Sequence, residues 1–268
     1  MITPEPKDLA VAAAVGGALS LDATAMVQSM LSQPIAAGAA VGIALGDPAT
    51  GLAVGALVQL LFGTELPLGT SVPPDTGTAA ASLAAAAVIA HRSVPALASL
   101  PGGALWCVAA ATLLAWPAAL AAGRADVAIR FWNARWAKRS DLGLEAGHPR
   151  AVDRAILSGA ISFGVKGIVT TAVLVLAGTP WVAWIASAAS SPAVLGKAPG
   201  ALVALLPAAA LGALARSLAD RPSREVPATL LSAVGAGVFA FFAPVGATLP
   251  VLAGAAAGLA ALVASRNR

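Results

Sequence analysis

The chain has no tyrosine, a single cysteine and two histidines. One cysteine, Cys107, excludes an internal disulfide and any cysteine-based metal cluster. It lies in an apolar run and reads as an inert packing residue. The histidines, His91 and His148, stand at segment edges, where an interfacial role fits better than phosphoryl transfer. No Walker loop, HExxH or GxSxG occurs, so the usual nucleotide, zinc-hydrolase and serine-hydrolase signatures are absent. No metal, cofactor or catalytic residue is expected. Charge is equally scarce: Asp, Glu, Lys and Arg make up 10% of the residues, against 59% hydrophobic ones and a mean hydropathy of +0.86. No soluble domain of 268 residues hides that much apolar surface.

What is present is a series of long apolar runs. A span needs about 20 residues to cross about 30 Å of hydrocarbon. Residues 103–122 and 245–264 carry no charge, and 155–178 is interrupted only by Lys166. Further runs cover 181–197, 201–218 and 226–243. Short alternating segments of the kind a β-barrel needs do not appear. The pattern predicts one all-α polytopic membrane domain over residues 1–268, with about eight to ten membrane segments at that residue count per span. The first eight residues set Glu5 and Asp8 against Lys7, which is not the basic start of a signal peptide. Residues 9–21 therefore read as a retained membrane segment.

The formal net charge is +4 and the pI about 10, but the basic residues are grouped. Arg124, Arg130, Arg135, Lys138, Arg139, Arg150 and Arg154 fall between 123 and 154, opposed only by Asp126, Asp141, Glu145 and Asp153. Such loops stay in the cytoplasm, and this topology explains the pI better than nucleic-acid binding does. Within the stretch, Ala125, Ala128, Ile129, Trp132 and Trp136 recur at helical spacing, with Arg135 and Arg139 turned elsewhere. Two readings stand: an amphipathic helix in the lipid headgroups, with Trp anchors and phosphate-facing arginines, or a plain cytoplasmic loop.

Polar residues concentrate where lipid tolerates them least. Asp22, Gln28, Asp47, Gln59 and Asp75 all fall within residues 20–78. A charge at the bilayer centre costs at least about 2.5–3.5 kcal/mol, so such groups face a cavity, a partner or a pathway. Gly46, Asp47 and Pro48 interrupt two apolar arms that are each too short to cross, and Pro48 disfavours helix at Asp47. A re-entrant hairpin over 34–62, with its tip at these three residues, fits better than one kinked span. Residues 64–77, TELPLGTSVPPDTG, contain two glycines and three prolines and read as an intramembrane loop. Asp22 and Asp75 could line a site or cap helices. A helix break near 22–26 would let Asp22 and Gln28 point the same way. Lys166 is too deep to snorkel and is expected to pair with a carboxylate such as Asp22 or Asp75.

The order of these residues resembles a known family. LDATAMVQSMLSQP at 21–34, GxxxGxxLGDPxTGLxVGALxQLL at 38–61 and LPLGTSVPPD at 66–75 are similar to the signature blocks of the membrane IIC subunit of mannose/fructose/sorbose phosphotransferase permeases. The resemblance is carried by residues 15–80; the C-terminal half agrees mainly in hydropathy. It implies a subunit of a phosphoenolpyruvate-dependent system in the bacterial inner membrane. That subunit moves a sugar, most simply a hexose, and performs no catalysis itself. Partners would be a IID membrane subunit, soluble IIA and IIB subunits that carry the phosphoryl group, membrane lipid, and further copies within a larger complex. A re-entrant hairpin belongs to the same implied fold. Sugar hydroxyls both donate and accept, which suits Asp22, Gln28, Gln59, Asp75 and Glu65 as binding residues. Two positions depart from the pattern. Gln33 stands where the family often has Arg, and Glu65 where an apolar or aromatic residue is common. A scaffold or regulatory homologue without transport, or an ion-coupled solute carrier, are the alternatives from other classes.

Overall fold

In the computed structural model, residues 2–25, 28–62 and 74–189 are described. Glu65, most of the 64–77 loop and the apolar runs at 201–218, 226–243 and 245–264 lie outside the described residues, as does the end of 181–197. Every element described is an α-helix: α1 (Pro6–Thr24), α2 (Pro34–Leu45), α3 (Pro48–Phe62), α4 (Thr76–Ser93), α5 (Pro95–Ala98), α6 (Gly103–Leu113), α7 (Ala115–Glu145) and α8 (Arg150–Ala189).

Local chemistry sets the boundaries. Proline opens α1, α2, α3 and α5, where its missing N–H is one of the helix's unpaired donors anyway. Gly46 ends α2 in the left-handed region, at φ 77°. Asp47 and Asp75 then start α3 and α4 in the same way. Each carboxylate accepts from the backbone N–H and the hydroxyl of a threonine three residues on, Thr50 and Thr78.

The core is built around α4. Every residue from Gly77 to Ala90 is buried, and most are alanine. With so little side chain, α1, α2, α3, α6, α7 and α8 all pack on it. Helices in lipid gain little from apolar burial against one another, so close backbone approach supplies the attraction. The α2–α3 pair takes this furthest. The helices run antiparallel, with Gly38 against Gly51 and Gly55, and Gly42 against Gly51. A Cβ on Gly38 would lie 2.5 Å from the Gly51 carbonyl oxygen and 2.8 Å from the Gly55 Cα. A second tight crossing joins α1 to α8, where a Cβ on Gly167 would lie 2.6 Å from the Gly16 oxygen.

Three expectations change in the second half. The uncharged run 103–122 is two helices, α6 and α7, bent by 50° at Leu114. The cause is Pro117, whose ring clashes with the carbonyl of Leu113 and removes a donor. Conversely, Pro180 does not separate 155–178 from 181–197. It sits inside the 40-residue α8, as membrane helices allow, with the Thr179 hydroxyl bonded to the Val175 oxygen 2.7 Å away in the preceding turn. Finally, residues 123–145 are helical, so the plain-loop reading fails there. They form no separate element but continue α7, which doubles back through Gly147 (φ 78°) to lie along α8. Asp126, Asn133 and Gly143 meet α8, whereas Ala128 and Trp132 face outward. Arg135 and Arg139 fold back over Trp132 and Trp136, at 6.0 and 5.1 Å from the ring centroids. At about 1.5 Å per residue, α8 is about 60 Å long, twice the hydrocarbon thickness. Its outward face exposes Ile156, Leu157, Ile161, Val165, Val169 and Val173.

The glycine contacts predict a sign reversal between two substitutions of the same kind. Gly51→Ala forces the α2 and α3 backbones apart and should destabilise the fold by about 1–3 kcal/mol. Gly159→Ala inside α8 meets only Asn133 Nδ2, at 3.9 Å, and should stabilise by about 0.5–1 kcal/mol. Thermal unfolding in detergent compares the two. Equal midpoints would remove the glycine seam as a stabilising feature.

Candidate functional site

Asp22 lies in the last turn of α1, so it does not cap a helix start. Its Oδ1 accepts from the Ser29 backbone N–H (2.7 Å) and hydroxyl (2.6 Å), and its Oδ2 from the Ser32 N–H (3.0 Å). The helix does break where expected, after Thr24, and Asp22 holds the turn that follows. That turn is strained: Gln28 (φ 52°) and Met30 (φ 65°) both occupy the left-handed region. A non-glycine residue there costs on the order of 1–3 kcal/mol, which Asp22's three bonds offset. Gln28 itself is exposed.

Asp75 caps α4 and also reaches across the bundle. Its backbone N–H bonds the Ala119 oxygen of α7 at 3.2 Å. Its Oδ2 accepts from the Lys166 ammonium of α8. Lys166 donates as well to Asp126 Oδ1 of α7, at 2.8 Å. Lysine thus finds the carboxylate partner it needs, Asp75 rather than Asp22, and a second one in addition. The Lys166 side chain is 4% exposed, and removing an ammonium from water to this degree requires paired charge. Two carboxylates around one ammonium leave one negative charge over.

Asp126 was not singled out from the sequence, where it counted only as an acid among basic neighbours. A signal for it existed. In an antiparallel helical hairpin, facing residues share a constant midpoint. Positions 126 and 166 average 146, as do 133 and 159, and the turn lies at 146–147. Gly147 and a lone buried lysine were enough to name its partner.

The two acidic elements meet. Ser32, held by Asp22, presses its carbonyl on Gly77, two residues beyond Asp75, so closely that no Cβ fits. Beside Ser32, the Gln33 Oε1 accepts from Gln59 Nε2 at 3.4 Å. The other amide oxygen, Gln59 Oε1, is buried without a partner among the described residues. Asp22, Gln33, Gln59 and Asp75 therefore gather where α1 ends and α2 and α4 begin. Asp47 does not join them. The 12-residue α2 carries the hairpin tip Gly46-Asp47-Pro48 about 18 Å away. There the Arg92 guanidinium lies against Gly46 and 3.8 Å from Asp8. The polar residues, contiguous in sequence, occupy opposite ends of the bundle.

Chemically, both Asp22 and Asp75 spend three of about four acceptor sites on the protein. What the cluster has left is amide: an unpaired Gln59 oxygen and the exposed Gln28. Neutral groups that accept and donate suit hydroxylated ligands.

The triad predicts an order of severity. Lys166→Met strands two carboxylates and should cost about 3–5 kcal/mol. Asp126→Asn leaves a neutral Asp75–Lys166 pair and should cost much less. Combining the two should recover part of the Lys166→Met loss, because one stranded charge is removed. Folded yield after a heat challenge, read by size-exclusion chromatography, tests this. A Lys166→Met protein as stable as the parent would show that the triad carries no stability.

Comparison with known proteins places this geometry. A solved structure described as "Structure of membrane protein" is similar over 98% of this chain and 99% of that one, at 18% identity and a TM-score of 0.50, which shows a shared fold. No curated protein matches the chain. A family model described as "PTS system sorbose-specific iic component" matches residues 9–263. The match spans both the signature blocks and the triad. The chain belongs to the sorbose-specific IIC family, the membrane permease subunits of sugar phosphotransferase systems.

Proposed function

We propose that this chain is the sugar-translocating subunit of a phosphoenolpyruvate-dependent system, a multi-pass protein of the bacterial inner membrane. It works with a IID membrane subunit and with further copies in a larger complex. The phosphoryl group travels through soluble IIA and IIB subunits, and the sugar, a hexose, is bound here without catalysis. Residues 34–62 enter and leave the membrane by one face. Their arms of 12 and 15 residues reach about 18 and 22 Å, short of the about 30 Å core. The basic 123–154 stretch lies on the cytoplasmic side. A single cysteine at the exposed Ala146, with Cys107 replaced by Ser, should label only when the inner face is open to an impermeant reagent. Labelling from outside in intact cells would reverse this topology.

The observation that carries the sugar site is the unpartnered Gln59 oxygen within the Asp22–Gln33–Asp75 cluster. A buried acceptor with no donor costs about 1–3 kcal/mol, and a sugar hydroxyl supplies the donor. Gln28 and Glu65 complete the set of direct contacts. Asp22 and Asp75 act by holding the 28–33 turn and the start of α4, and Lys166 by fixing Asp75. Gln59→Leu separates stability from binding. It should leave folding intact or raise stability by about 1 kcal/mol, while weakening sugar affinity about tenfold. Asp22→Asn should lower both folded yield and affinity. Unchanged affinity in Gln59→Leu would relocate the site. The second carboxylate on Lys166, Asp126, is the observation that favours the ion-coupled alternative. Uptake that requires phosphoenolpyruvate and survives collapse of ion gradients counts against that alternative.

A further inference from the structure

The tip of the α7–α8 hairpin holds a cavity of about 510 Å³. Trp136 and Arg139 of α7 wall one side, Arg150 and Arg154 of α8 the other, with His148 in the turn between them. No carboxylate lines it, and among the described residues none of the three arginines makes an ion pair. Unpaired arginines on an open surface would spread apart. Here Arg139 is held in place, and so is the backbone turn that leads to Arg150 and Arg154. The Arg139 guanidinium stacks over Trp136 at 5.1 Å. The turn is fixed by His148 N–H to Gly143 O (2.8 Å) and Gly147 N–H to Leu144 O (2.9 Å). Gly143 brings α7 so near α8 that its Cβ would lie 2.6 Å from that of Ala151. The cavity also opens at the N-terminus of the 40-residue α8, whose dipole adds positive potential.

We infer that this cavity is a phosphate-binding site, formed by Arg139, Arg150 and Arg154 around a phosphate ester. Planar guanidinium forks match phosphate oxygens in pairs, and three of them lining one cavity without a counter-charge suit an anion of more than one oxygen. The volume falls within the range of small-molecule sites and exceeds what a lone phosphate needs. Ile156 and Leu157, exposed on α8 just past the cavity, offer apolar surface beside it. A phospholipid headgroup and a soluble phosphate compound share the same chemistry. The site does not depend on the sugar-binding reading, since it lies at the tip of the α7–α8 hairpin, about 24 Å along α8 from Lys166.

The test uses the full chain, purified in mild detergent. Phosphatidylglycerol retention is measured by native mass spectrometry, with phosphatidylcholine as the zwitterionic reference. Inorganic phosphate is titrated into lipid-free protein, read by the part of the tryptophan fluorescence that Trp136→Phe removes. Two triple variants are compared, all three arginines to Gln and all three to Lys. Preferential retention of phosphatidylglycerol, reduced at least about tenfold in both variants, identifies a headgroup site. Phosphate titration with the same loss identifies a soluble phosphate ligand. Either result supports the proposal. Binding in the Gln variant equal to that of the parent overturns it. So does full binding in the Lys variant, which would reduce the feature to diffuse basic charge. If a triple variant is not monodisperse, Arg150→Gln and Arg154→Gln alone read the same outcomes.

Discussion

An ammonium in the middle of an apolar helix cannot remain alone. Lys166 has to be neutralised where it stands, and among the described residues the acids that reach it, Asp75 and Asp126, come from outside its own helix. That requirement sets α4, α7 and α8 in register. Asp75 arrives from the first residue before α4, and Asp126 from the antiparallel partner of α8. Because Asp75 is at once the cap of α4 and the partner of Lys166, the central helix cannot slide along its axis without stranding charge. The remaining helices then pack on α4, which alanine makes thin enough to be surrounded. The buried ion pair thus specifies position more than it supplies stability, in keeping with the small net worth of such pairs against apolar replacements.

The same economy appears at the other carboxylates. Asp22, Asp47 and Asp75 each accept two or more bonds from backbone or hydroxyl groups within ten residues, Lys166 aside. In a membrane, unsatisfied backbone N–H groups are as costly as charges, so helix ends and turns need acceptors supplied locally. Aspartate is the shortest side chain that supplies two. The acidic residues in this region mark where helices stop and start, and the proposed sugar contacts lie beside them.

Much of this was legible before any coordinates. Asp47-Pro48 between two short apolar arms announced a helix pair, because proline and arm length are local constraints. The break after Asp22 and the pairing of Lys166 followed from similar local costs. What escaped depended on longer range. Pro117 bends a run whose composition looked uniform, since hydropathy does not register a missing donor. Pro180 falls between two apolar runs expected as separate spans, but a helix packed on its neighbours absorbs the lost bond. Asp47 was grouped with Asp22 and Asp75 because all three fall within 54 residues, whereas the direction of α2 carries it to the opposite end. Sequence proximity fails as a guide once a helix of about 18 Å intervenes. Along α7 the apolar positions Ala128 and Trp132 face outward, while Asp126, Asn133 and Gly143 meet α8.

Gln33 deserves the last word on specificity. The motif this chain resembles often has arginine at that position, and an arginine carries donors only. A guanidinium beside Gln59 would donate to its Oε1 and leave nothing unpaired. Glutamine at 33 instead offers an oxygen to Gln59 Nε2, so the Gln59 oxygen is left over. The substitution removes a positive charge and creates a buried acceptor at one stroke. On the proposed reading, a ligand for this cluster presents a donor to Gln59 and needs no negative charge of its own. A neutral, hydroxylated solute meets both conditions. An anion would instead meet Asp22, whose carboxylate has no basic partner among the described residues.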